Sequence, residues 1–168
     1  MNDSSPARAF VGLGANLGDP RAAVTEALRQ LAALPDSTLM ATSSLYRTAP
    51  VDATGPAFVN AVAELRTTLS PHDLLHRLQA IEQAHGRERP YRNAPRTLDL
   101  DLLLVDGCMI DDAELTLPHP RLHQRAFVLV PLAELAPGLC VPGRGSVNDL
   151  LAEVRDQSIT RLDDEAAT

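Results

Sequence analysis

Two acids alternate with leucine in PRTLDLDLLL, residues 95–104: Asp99 and Asp101. Alternate residues of a strand share a face, with alpha carbons roughly 6.5–7 Å apart, so both carboxylates can converge on one point. Carboxylates held that close repel unless one takes a proton or a cation lies between them. Two Mg²⁺ ions in a phosphoryl-transfer site stand about 3.5–4 Å apart, a span such a pair can bracket. Magnesium asks for little protein: a carboxylate or two, with phosphate oxygens and water for the rest. The plainer reading places both acids on the wet half of an edge strand. Against it, apolar residues continue on the same face after the acids stop.

The preceding loop, GRERPYRNAPR, sets Arg87, Arg89, Arg92 and Arg96 against a single acid, Glu88. A guanidinium is a planar fork that meets phosphate oxygens in pairs. Such a run is also what a solvated surface loop looks like. Beside the acid pair, it is an arrangement suited to a metal-bound polyphosphate, the acids holding cations and the arginines taking the remaining charge. Phe58 and Asn60 fall on one face of an expected strand. A ring beside an amide suits a flat polar heterocycle, although core packing explains a lone phenylalanine equally well. Glu82 borders the apolar stripe of a helix, with Gln79 one turn earlier. His119 and His123 are four apart, but Pro118 and Pro120 argue against a helix and hence against a zinc pair. His119 and Arg125 suit either phosphate or a structural role.

The elements that must position these groups alternate along the chain. Ala9–Leu13 predicts a strand and GLGANLGDP a glycine-dependent turn into a helix, with Asp19 as N-cap and Pro20 as first helical residue. Its spacing G-x-G-x-x-x-G is one residue too long for a dinucleotide fingerprint. A second strand is expected over Ser37–Arg47, a third over Ala57–Leu65, and a helix from Ser70-Pro71 to Gly86. The acidic strand, 98–105, ends at an Asp106-Gly107 turn. Met109–Leu117 predicts a short returning strand; PHPRLHQRAF reads as irregular. Val128–Leu135, with Pro131 inside, fits no single element. Ser146–Val154 predicts a last helix, and the chain from Ser158 a strand remnant and an acidic tail. Several strand pairs lack an intervening helix, which indicates an α+β fold with a mixed, largely antiparallel sheet.

Bulk properties bound the function. The chain has 168 residues, one domain's worth, with 45% apolar and 22% charged residues. A net charge of −7 disfavours general nucleic-acid binding. No apolar run reaches the roughly 18 residues of a membrane span. MNDSSPARAF lacks a secretory h-region, so a cytoplasmic location is expected. Cys108 and Cys140 suggest neither a disulfide framework nor a zinc site. All 15 basic residues are arginine, which excludes a Walker-type lysine and Schiff-base chemistry.

Taken together, GLGANLGD, SSLYRTAPV, FVNAV, PRTLDLDLLL and LTLPHPRLHQRAFVLVPL resemble the 6-hydroxymethyl-7,8-dihydropterin pyrophosphokinase family of folate synthesis, from about Arg8 to Pro142. The resemblance implies a single three-layer α/β/α domain, ferredoxin-like at its centre. It implies attack of the pterin hydroxymethyl oxygen on the β-phosphorus of ATP, with AMP leaving. Asp99 and Asp101 then correspond to the ligands of two Mg²⁺ ions. Asn60 corresponds to the reader of the pterin edge, Phe58 and Phe127 to the rings that sandwich it, and Thr48 to a neighbour. Gln79, Glu82, Arg87, Arg96, His119 and Arg125 correspond to ATP-binding positions, with Leu102 and Thr116 on the nucleotide side. Arg87 and Arg96 share the catalytic role with the acids, in a loop that closes over the site. Two departures stand out. The loop has no tryptophan, Asn93 and Tyr91 being nearest its place, and Glu114 stands where some members carry an arginine. Arg89 or Arg92 is the expected substitute. A monomer acting on ATP and a reduced pterin, without nucleic-acid or membrane partners, is the default expectation. The alternatives are a non-catalytic Mg-nucleotide-binding ferredoxin-like module and a phosphohydrolase using the same acids.

Overall fold

The computed structural model describes residues 5–49, 56–86 and 98–162. Its centre is β1, Ala7–Ala15, which pairs antiparallel with β4, Phe58–Thr67, on one side and with β5, Asp99–Val105, on the other. Both β1 and β4 are largely buried along their length because both faces of the sheet are covered. The opposite edge of β4 takes β2, Ser37–Thr42, and β3, Tyr46–Thr48, and β3 in turn takes the last strand, Ile159–Arg161. Every ladder among the described residues is antiparallel.

Helices cover each face. On one side lie α1, Pro20–Ala32, and α2, Pro71–Gly86. The Asp19 carboxylate accepts the Ala22 N–H at 3.1 Å and Pro20 opens α1; Ser70 Oγ accepts the Asp73 N–H at 3.1 Å at the start of α2. Val24, Ala27, Leu31, Leu74 and Leu78 pack onto Val11, Leu13, Leu100 and Leu102. On the other side α3, Ala126–Leu135, and α4, Val147–Ala152, cover Phe10, Val62, Leu103 and Leu104. This is the expected three-layer α/β/α arrangement.

Several local expectations change. The strand expected over Ser37–Arg47 breaks at Ser43–Leu45; Ser43 keeps contact with β4 by accepting the Val62 N–H on its hydroxyl at 2.9 Å. β1 runs on to Ala15, so Gly12 and Gly14 lie inside a strand rather than in the turn, and only Gly18, at φ 63°, serves the turn. The returning strand over 109–117 is a separate hairpin of two short strands, β6 (Ile110–Asp111) and β7 (Thr116–Leu117). Part of the stretch read as irregular is helical: a 3-10 turn, Leu122–Gln124, leads into α3. A small unanticipated hairpin, β8 (Cys140–Val141) with β9 (Gly145–Ser146), precedes α4. The strand remnant is β10, Ile159–Arg161, with Leu162 buried behind it, and the expected acidic tail after it lies outside the described residues.

One irregularity explains the composition of β5. Phe10 pairs with Leu104 and Val11 with Leu102, leaving Leu103 as the extra residue of a bulge. Leu103 and Leu104 consequently both enter the cluster under α3, and Val105 enters the opposite one. Asp99 and Asp101 share the α3 face but lie at its open end, half-buried, where that cluster stops.

Candidate active site

The strand registers put the site together. Gly14 sits opposite Asn60 of β4 and opposite Asp99 of β5, and Gly12 opposite Val62 and Asp101. Residues opposite one another in a sheet present side chains to the same face. The acids and the amide therefore look across a strand that has no side chains between them. A methyl group on Gly14 would lie 2.8 Å from Asn60 Nδ2; one on Gly12 would meet the Leu103 side chain first, at 3.4 Å. The resulting trough is a cavity of about 190 Å³ lined by Thr48, Phe58, Asn60, Asp99, Asp101, Arg125 and Phe127 along with both glycines. Seven expected site residues thus meet around one space. Gly12 and Gly14 were missed as floor residues, although two glycines at strand spacing inside an apolar run were the available signal.

At the amide end, Thr48 Oγ1 donates to Asn60 Oδ1 at 2.7 Å, both residues being buried. This fixes the amide with its Nδ2 side over Gly14. Phe58 is half-buried opposite Thr48, and Phe127 is the second residue of α3, with the Arg125 guanidinium 5.3 Å from its ring centre. The short strand carrying Thr48 is held by Glu134 of α3. Its carboxylate accepts the Ser44 N–H at 3.0 Å, the Ser44 hydroxyl at 3.0 Å and the Tyr46 hydroxyl at 2.7 Å. Burial pushes the Glu134 carboxyl up, but the Tyr46 and Ser44 donors outweigh it and hold it below its usual range. Burial, then the Glu134 acceptor, raises the Tyr46 hydroxyl.

At the acid end, His119 is fixed twice: its N–H donates to the carbonyl of the bulged Leu103 at 2.8 Å, and its Nδ1 accepts the Arg121 N–H at 3.1 Å. The second bond leaves Nε2 as the protonated nitrogen of the neutral ring. Burial lowers its pKa, Asp101 opposes that, and Arg125 and Arg121 reinforce it. Thr116 and His119 line a second groove of about 390 Å³ together with Arg144. Glu82 Oε2 accepts the Leu100 N–H at 2.8 Å, pinning β5 between its two acids. Gln79 is exposed on α2, and the Leu102 side chain is buried in the cluster below α1 and α2. Glu114 faces α2, its carboxylate 2.7 Å from His76 Nε2. Arg87 and Arg96, with Arg89, Tyr91, Arg92 and Asn93, lie outside the described residues.

Among the described residues no group of three or more His, Cys, Asp and Glu side chains forms a metal cage. Two aspartates at the mouth of an open cavity are instead the sparse oxygen provision that Mg²⁺ accepts when a polyphosphate completes its shell. The donor set therefore fits that ion in company with a nucleotide.

A family model, 7,8-dihydro-6-hydroxymethylpterin-pyrophosphokinase (HPPK), matches residues 10–137. The chain belongs to this family. A 2-amino-4-hydroxy-6-hydroxymethyldihydropteridine pyrophosphokinase of Pseudomonas aeruginosa is 47% identical over 92% of this chain and 96% of its own length. A protein of the same name from Methylorubrum extorquens is 43% identical over 93% of this chain and 99% of its own. The fold is shared with the crystal structure of a Plasmodium falciparum HPPK-DHPS triple mutant, at a TM-score of 0.74 and 14% identity. That match covers 91% of this chain but only 45% of the larger one. As a member of the HPPK family the chain is an enzyme, a pyrophosphokinase of folate synthesis, as its motifs implied. No helix among the described residues is long and apolar enough to cross a membrane.

Proposed function

We propose that this HPPK-family enzyme transfers the pyrophosphoryl group of ATP to the hydroxymethyl oxygen of 6-hydroxymethyl-7,8-dihydropterin. The observation that carries the reading is the single glycine-floored cavity, with an aromatic–amide end and a paired-acid end facing each other across β1. Phe58 and Phe127 would stack on the pterin, and Asn60, oriented by Thr48, would pair with its edge. Asp99 and Asp101 would hold two Mg²⁺ ions, which when bound neutralise and align the triphosphate. Arg125 on the cavity wall and His119, within electrostatic reach of Asp101, would meet phosphate oxygens, and Arg87 and Arg96 would take the remaining charge. The hydroxymethyl oxygen bonds to the β-phosphorus, the α–β bridging oxygen departs with AMP, and the hydroxyl proton is lost to solvent. The residues act by placing the acceptor oxygen in line and by excluding water as a competitor.

Incubation with ATP, Mg²⁺ and the pterin, with resolution of the nucleotides, tests this. AMP formed in step with a pyrophosphorylated pterin is expected. ADP with free phosphate would replace the reading by γ-phosphoryl chemistry. Asp99→Asn is expected to lower kcat by about 100-fold or more, on the scale of losing one charge-stabilising group.

A further inference from the structure

Two histidine–carboxylate pairs bridge α2 and the loop of the β6–β7 hairpin. His72 and His76 are four apart and so share a face of α2. His72 Nε2 lies 2.8 Å from Asp112 Oδ2, and His76 Nε2 lies 2.7 Å from Glu114 Oε2. The loop that presents the acids is braced from within. Asp112 Oδ1 accepts the N–H groups of Glu114 at 2.9 Å and Leu115 at 2.8 Å, and the Asp112 N–H donates to the Leu115 carbonyl at 3.0 Å. Those two backbone donors and then His72 hold the Asp112 carboxyl below its usual range. Beneath the pairs, Leu115 is buried with Leu74 and Leu78. The hairpin is thus attached to α2 by a buried leucine below and two polar clasps outside.

Both joined elements carry groups assigned above to the nucleotide. Gln79 is three residues beyond His76 on α2, and Glu82 one turn further. Thr116 follows Glu114 by two, and its strand leads to His119. In a chain of net charge −7, Asp112 and Glu114 left without partners would also repel a triphosphate. We infer that His72 and His76 are positioning residues for ATP, setting the spacing of α2 and the hairpin and covering the two acids between them. Neither touches a reacting atom. The inference rests on the nucleotide assignment of the proposed function.

Titration calorimetry of the full chain with Mg²⁺ and the non-hydrolysable α,β-methylene analogue of ATP reads it directly. The variant His72→Gln/His76→Gln, and separately Glu114→Gln, are expected to weaken analogue binding about two- to fivefold, the scale of exposed polar side-chain pairs. The pterin KM and thermal midpoint should stay at wild-type values. The exchanged pair, His76→Glu with Glu114→His, is expected to restore affinity to within about twofold of wild type. Unchanged affinity in the double histidine variant overturns the inference, as does failure of the exchanged pair to restore it. Tighter binding by Glu114→Gln also overturns it, because the acid would then act only by repulsion. A wild-type protein that binds no analogue removes the proposed function and this inference together; binding indifferent to all variants removes this inference alone.

Discussion

Gly14 is the residue on which the site's geometry is least forgiving. An added methyl would stand 2.8 Å from Asn60 Nδ2, too close for the amide to remain, while the same addition at Gly12 makes ordinary contact with Leu103. Gly14→Ala is therefore expected to raise the pterin KM about tenfold or more, the cost of losing a well-made polar pairing. Its ATP KM should be nearly unaffected. Gly12→Ala should fold within about 1 kcal/mol of wild type. Equal effects on pterin KM from both substitutions would show that the trough is not organised around Asn60. Thr48→Val leaves Asn60 Oδ1 buried without its donor, at a cost of about 1–3 kcal/mol. Urea unfolding should show that loss, and steady-state kinetics a raised pterin KM.

At the scale of elements, what was legible followed from periodicity and caps. Asp19-Pro20 and Ser70-Pro71 fixed both helix starts, and alternating acids placed Asp99 and Asp101 on one face. What was not legible came from context. α3 is apolar at every position but Glu134 because it is sandwiched between β4 and α4, so no amphipathic period marks it, and Pro131 in its middle argues against any helix. That proline removes the donor for the Phe127 carbonyl, at a generic cost of about 3 kcal/mol. Burial of Leu129 and Leu132 offsets it. Leu129→Ala is thus expected to lower stability by about 2–5 kcal/mol in denaturant titration. A change below about 1 kcal/mol would mean α3 does not depend on that packing. The break at Ser43–Leu45 was hidden for a similar reason: its polar satisfaction comes from Glu134, 90 residues away in the chain. Of the candidate site, the residues converging on the cavity were readable as types at spacings, whereas its floor depended on cross-strand register.

For the whole molecule, acid stability should depend on Glu134. Its carboxyl is held below the usual range in the folded state, so its folded value is lower than its unfolded one. The stability this contributes is present above the unfolded value and is lost as pH falls through the folded one. Glu134→Gln should be less stable at neutral pH and lose less on acidification toward about pH 4, the ordinary carboxylate range. Chemical unfolding midpoints along that pH series measure it; parallel curves for the two proteins would contradict the assignment.

β5 pairs with β1 alone among the described residues, so it is an edge strand, and its sequence DLDLLLV is dominated by leucine. Such an edge is a template for a second copy of itself. Here the Leu100 N–H is taken by Glu82, the Leu103 carbonyl by His119, and a bulge interrupts the regular pleat. Among the described residues, the carboxylates of Asp99 and Asp101 add two further deterrents. Neutralising both to silence catalysis would also strip the strand of its gatekeepers, making the inactive protein the one most inclined to stick to itself.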